Sequence, residues 1–423
     1  MAKIKNLLIL GAGTDKSSGL DIPLAQELIN GIRDFLSNEP VGLEVDKLLR
    51  SFLKDLNFSY NNLSKEASAQ LIETYEIKRE KLLNIVKQGS VNQEEKELLD
   101  LIQYFLKQKS LKFEISYDNK LLIEKIINNY KNHFSGKEKT ETIFKKIMEK
   151  SFLTAIHNPN YVILNKIYNN CIDFEMLLLK YFIGFYNKTH INIKRYLYIS
   201  WTLWAFLCWK ERQALEHTTL PFYGSIDKNR YNVITLNYTS FASNISDCCI
   251  YFHGKLDKHI NLYNRMVNPI PTKIDIAKFI NTTVKTTIDF SRGKFIIPFI
   301  IPPLKMKPII SKEFIDIWYN ATQIIKDSER IVIVGYSFNP VDEHFNDIIR
   351  KNKKKEIIIV DPYPKNNLLN LKRIFSYKKD NYQEGVFKGK NYYKYNSLMI
   401  IEAGATDLSI DELFEMTTIS TAK

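Results

Sequence analysis

Only four cysteines occur in 423 residues, Cys171, Cys208, Cys248 and Cys249, and no two of them form a C-x-x-C pair. That excludes a zinc ribbon built on paired thiolates, and no metal is expected. So few thiols, without a signal peptide, point to a reducing cytoplasm. Long apolar runs are missing as well. The stretch around Tyr196 to Cys208 is too short to span a bilayer and contains polar breaks, so no membrane role is expected. Tight basic clusters are equally scarce. The net charge is +13, yet Lys353-Lys354-Lys355 is the one dense group and reads as a solvated helix end. The other lysines are spread along the chain beside abundant Asn, Ile and Tyr, a general compositional skew. Direct nucleic-acid binding is therefore not expected.

What is present begins with Leu7-Leu8-Ile9-Leu10, four apolar residues closed by Gly11-Ala12-Gly13-Thr14. This reads as a buried strand and a glycine turn, and the spacing of Leu24, Leu28, Ile32 and Phe35 predicts a helix over 22–36. In a dinucleotide-binding opening, Gly11 permits the turn and Gly13 lets the backbone approach a pyrophosphate. The usual third glycine falls three residues after the second, whereas Gly19 falls six after Gly13.

From 41 to 216 the chain is lysine-rich, poor in Gly and Pro, and periodic in the helical sense, as at Leu98, Leu99, Ile102, Phe105 and Leu106. It predicts a helical insertion with Trp201, Trp204 and Trp209 as core aromatics. Beyond Pro221 the α/β pattern resumes. Strands are expected at Val233–Leu236, Cys249–Phe252, Phe295–Ile301, Ile331–Val334 and Ile357–Val360, with helices near 314–325 and 341–350. The runs do not alternate, which predicts a mostly parallel sheet buried on both faces. The expected fold class is α/β: a Rossmann-like core from 1–40 and 217–400, the helical insertion 41–216, and a tail at 401–423. Gly11, Asn237, His253, Ser337 and Asp361 all fall at carboxyl ends of strands, where such sheets place ligands.

This set resembles the sirtuin-like NAD-consuming family, in particular its bacterial antiphage-defence branch. The resemblance rests on Gly11-Ala12-Gly13, Ser18-Gly19, Asn237, His253-Gly254, Gly335-Tyr336-Ser337-Phe338 and Asp361. It covers roughly the first forty residues and those from Pro221 to about Pro364. The abortive-infection H family shares the Asn-Tyr-Thr, His-Gly and Gly-x-Ser elements but opens on a different turn. Protein-deacylating sirtuins have Pro-Asp-Phe-Arg where this chain has Asp21-Ile22-Pro23-Leu24, and Gln-Asn-Ile-Asp where it has Leu236-Asn237-Tyr238-Thr239. They also carry the zinc ribbon excluded above.

The resemblance implies an NAD hydrolase that acts as a defence effector, with NAD as substrate and no metal. Asn237 and His253 would be catalytic. Gly11, Ala12, Gly13, Thr14, Ser18, Gly19, Asn237, Gly335, Ser337 and Asp361 would hold the dinucleotide. His253 suits a base because imidazole titrates near neutrality, and Asn237 can both donate and accept. Asp361 reads equally as an Asp-Pro turn initiator. Asp342 reads as a helix N-cap, with His344 near the pocket, and Lys305 and Lys307 read as solvated. An NAD-consuming effector must rest at low activity, so the helical stretch predicts a homo-oligomer or a separate sensor or activator protein. A protein deacylase or ADP-ribosyltransferase is the alternative enzyme, and a nucleotide-sensing module the non-catalytic one.

Overall fold

The computed structural model describes residues 5–17, 19–90, 92–112, 139–186, 190–271, 274–302, 307, 311–376 and 383–419. Contacts divide the chain into one unit of Met1–Leu56 with Tyr181–Lys423 and a second of Asn57–Lys180.

The first unit is built on an eight-stranded sheet. Its strands are β1 (Asn6–Leu10), β2 (Asn232–Thr235), β3 (Ile250–Tyr251), β7 (Arg330–Val334), β8 (Glu356–Asp361), β9 (Gln383–Phe387), β10 (Lys390–Tyr395) and β11 (Leu398–Glu402). Their order is β3-β2-β1-β7-β8-β11-β10-β9. The first six run parallel, and β10 and β9 close one edge antiparallel. Numbered by first appearance, the parallel part has the 3-2-1-4-5-6 order of a Rossmann fold. β1 is central, with Leu8 opposite Val233 on one side and Val332 on the other. Leu7, Leu8, Ile9 and Leu10 are wholly buried, as the unbroken apolar run requires. The order reverses between β1 and β7, and sheets of this order that bind ligands do so beyond the carboxyl ends at such a point.

Three more strands form a small antiparallel sheet, β5 (Val267–Pro269), β4 (Gly254–Asn261) and β6 (Ile296–Ile300), in the order β5-β4-β6. This corrects the expectation that 295–301 joins the parallel sheet. Its two-sided burial comes from the helix His190–His217, which packs on β6 and β4. From that helix Trp201 Nε1 donates to Ile296 O at 3.0 Å and Trp204 Nε1 to Leu256 O at 2.8 Å. Both indoles are buried, so these bonds satisfy N–H groups that would otherwise be costly. Trp209 packs on Phe35 at 5.1 Å.

Two further expectations change. The helix following the first turn is only Ala12–Lys16, and the longer Leu28–Asn38 comes after it. The expected insertion 41–216 narrows to 57–180, because the helix Pro40–Phe52 packs on Leu28–Asn38 and the helix His190–His217 packs on the small sheet. The last stretch, which reads in sequence as an acidic helix or tail, is packed where it is described. β11 pairs with β8, and in the helix Ile410–Ile419 Phe414 stacks on Tyr231 at 4.6 Å.

The second unit is helical where described: Ser64–Glu73, Tyr75–Val86, Gln93–Lys107, Thr140–His157 and Val162–Cys171. Asn92 starts the third of these by accepting from the Glu94 and Glu95 amides. Glu95 is buried and accepts the Leu164 amide at 2.8 Å. Among the described residues no helix is long and apolar enough to cross a membrane.

Candidate functional site at the carboxyl ends of the parallel strands

The turns after β1 and β7 touch through their backbones. Gly11 N donates to Val334 O at 2.9 Å and Gly13 N to Gly335 O at 2.8 Å. Gly335 adopts φ +66°, and a Cβ there would stand 2.6 Å from Thr14 N. A Cβ on Gly13 would stand 2.7 Å from Gly335 Cα. These glycines therefore serve the approach of one turn to the other, a use the sequence reading did not assign. Ala12 and Gly19 are exposed, and Ser18 lies outside the described residues.

Beneath the turn lies a buried polar network. Asn237, just past β2, brings Nδ2 within 3.1 Å of Gly11 O, 3.1 Å of Thr14 Oγ1 and 2.8 Å of Asp15 Oδ1. A carbonyl can only accept, so the amide nitrogen must face this way. Thr239 Oγ1 donates to Asp15 Oδ2 at 2.6 Å, and the Tyr223 hydroxyl donates to Asp15 Oδ1. Asp15 is 3% exposed. Burial, with a smaller push from the Glu211 charge, raises its carboxyl to about 6 against the lowering pull of Thr239, Tyr223 and Asn237, and among the described residues no cation joins the network. Asp15, Tyr223 and Thr239 were not singled out from the sequence, and Asp15 carries no local signal beyond following the glycine turn.

His253 follows β3 at the next strand end. Gly254, at φ +85°, allows the close crossing onto β6, since a Cβ there would lie 2.1 Å from Phe299 O. The buried ring sets Nδ1 3.1 Å from the carbonyl of Leu236, the residue before Asn237. That carbonyl makes Nδ1 the protonated nitrogen and leaves the lone pair of the neutral ring on Nε2. Nε2 is enclosed and forms no hydrogen bond, although Asp342 Oδ1 lies 3.2 Å away.

Asp342 occupies the N-cap position of the helix Glu343–Lys351 but makes no capping bond. Asn339 caps the preceding turn through the Val341 amide instead. The Asp342 carboxylate also takes Lys307 Nζ at 2.8 Å. Burial opposes its charge, but the His253 ring when it carries a second proton, and the Lys307 ammonium, hold its carboxyl well below the usual carboxylate range. The Lys307 side chain is 1% exposed, which overturns its reading as solvated. Lys305 lies outside the described residues. Two carboxylates, a buried one after β1 and a half-buried one after β7, are thus displaced in opposite directions, the one with charged partners downward.

The remaining candidates stand apart. Ser337 is exposed, and its carbonyl accepts from Asn370 Nδ2 at 3.1 Å. Asp361 spends both carboxylate oxygens locally, on the Tyr363 amide and the Asn367 side chain, which is the turn-initiating arrangement. His344 faces outward, with its ring 5.2 Å from that of Trp318 in a shallow cavity also lined by Phe252 and Ile348. Comparison with models of known protein families, with curated proteins and with solved structures finds no match to this chain.

Proposed function

We propose that the protein is an NAD hydrolase that cleaves the bond between nicotinamide and ribose. The reading is supported most by one observation: His253, past the end of β3, is fixed on the carbonyl of the residue before Asn237, whose amide in turn binds the turn after β1, where the sheet order reverses. Cleavage passes through a cationic sugar, as in glycoside hydrolysis, and nicotinamide leaves as a neutral molecule without a general acid. Water then adds its oxygen to the ribose anomeric carbon. His253 Nε2 takes the proton, and ADP-ribose and nicotinamide are the products. Asn237 holds the turn through Nδ2 and can turn Oδ1 to the water or to a ribose hydroxyl. Ala12 and Ser337, exposed in the turns after β1 and β7, would meet the dinucleotide.

In this reading the chain is an effector that depletes NAD, switched on by self-assembly or by a separate sensor protein. A second reading, a nucleotide-binding module without turnover, is favoured by the way protein groups surround both His253 nitrogens. Purified protein incubated with NAD separates the two. Nicotinamide release without any peptide supports the hydrolase, and a drop of at least about a hundredfold in His253→Ala ties it to this site. Binding without turnover, with and without forced assembly, would sink the hydrolase.

A further inference from the structure

We propose that Asp342 is a positioning residue for His253, that its charge governs how tightly Nε2 holds a proton, and that Lys307 moderates that charge. The assignment of Nε2 as the reacting atom rests on the hydrolase reading; the control of the ring by the pair does not.

Three observations carry the proposal. Nδ1 is committed to the Leu236 carbonyl, so any proton that enters or leaves the ring does so at Nε2. The charged groups within reach of Nε2 among the described residues are Asp342 at 3.2 Å and, through the same Oδ1, Lys307 at 2.8 Å. Asp342 sits where a capping residue would, yet leaves the helix end uncapped and turns its carboxylate inward.

Among the described residues the other elements around the ring bring no competing charge. Tyr238, with its ring 6.4 Å away, donates its hydroxyl to Ile301 O at 2.6 Å. Phe252 is apolar, and Ile301 N binds the His253 carbonyl at 2.7 Å. Glu343, next to Asp342, is paired with Arg350 and Arg373. With the ring neutral, Lys307 and Asp342 balance. When the ring takes a proton, Asp342 becomes its counter-ion, so its removal weakens proton binding and removal of Lys307 strengthens it.

The test is NMR titration of ring-labelled histidine, with the His253 signal assigned by its loss in His253→Gln. Relative to the unaltered chain, the titration midpoint falls by about 1–3 pH units in Asp342→Asn and rises in Lys307→Met. Asp342→Glu restores most of the fall. If His253 is the base, the acid limb of NAD cleavage moves in the same two directions. A merely structural role would move neither midpoint, or move both the same way, and either result overturns the proposal. Should a variant fail to fold, ring nitrogen shifts of the unaltered chain still decide: a proton on Nδ1 in the neutral ring supports the proposal and a proton on Nε2 refutes it. Ring titrations that behave as expected beside absent NAD cleavage would refute the hydrolase reading alone.

Discussion

Gly335→Ala tests whether the two glycine turns must touch. The residue adopts φ +66°, a conformation that costs an L-residue about 1–2 kcal/mol. Its new Cβ would also meet Thr14 N at 2.6 Å and Gly13 C at 2.8 Å, backbone atoms that cannot swing away as a side chain would. Overpacking of this kind costs about 1–3 kcal/mol, so the total is about 2–5 kcal/mol. That is a large share of a domain stability of about 5–15 kcal/mol. Gly19→Ala is the control. Its φ is +78° but nothing lies within 4 Å, so it carries the conformational cost alone. The four tryptophans, Trp201, Trp204, Trp209 and Trp318, all belong to the sheet-bearing unit, so their fluorescence during urea unfolding reports that unit. With a slope of about 2 kcal/mol/M, the Gly335→Ala midpoint falls by about 1–2.5 M. A loss no greater than that of Gly19→Ala would refute the claim that packing between the turns matters.

Asp15 gives a pH signature. Because its folded carboxyl titrates at about 6 rather than 3.8, the folded state keeps this proton to higher pH than the unfolded chain does. Its stabilising contribution is present below pH 4 and is lost as pH rises through 6, about 3 kcal/mol in all. Urea midpoints measured across that window fall for the unaltered chain and fall less for Asp15→Asn. Asn237→Ala strips donors from Asp15 and Gly11, so it lowers stability by about 1–3 kcal/mol besides lowering any NAD cleavage; equal urea midpoints would refute the network. Light scattering is expected to show a homo-oligomer or a co-purifying partner, with nicotinamide release rising on assembly, and a fully active monomer would contradict this.

The parallel core was legible because β1, β7 and β8 are unbroken apolar runs, which only two-sided burial explains. β6 carries the same pattern, yet its second face is covered by a helix, and periodicity cannot tell one cover from another. The β9–β10 hairpin is half-exposed and mostly polar, so it left no signal, and five residues of helix at Ala12–Lys16 are too few to show a period. At the site, Gly11, Asn237 and His253 could be found because they end strands. Their partners could not. Asp15 meets Tyr223 across 208 residues and Thr239 across 224, and Lys307 meets Asp342 across 35. Asp361 was ambiguous in sequence because Asp-Pro initiates turns, and locally it does so.

The placement of β1 at the centre of its sheet also has a consequence for biosynthesis. Asn6 pairs with Arg330, so 324 residues must be added before the neighbour on that side exists. At about 5–20 residues per second, the strand waits roughly 16 to 65 s with one edge or both edges open. The helical segment 57–180 closes on contacts made within itself and needs no such delay. The sheet, in contrast, can close only after most of the chain has left the ribosome. The rate of translation therefore sets the earliest moment of its folding, and chains released before about Val334 expose an oily first strand to chaperones and to aggregation.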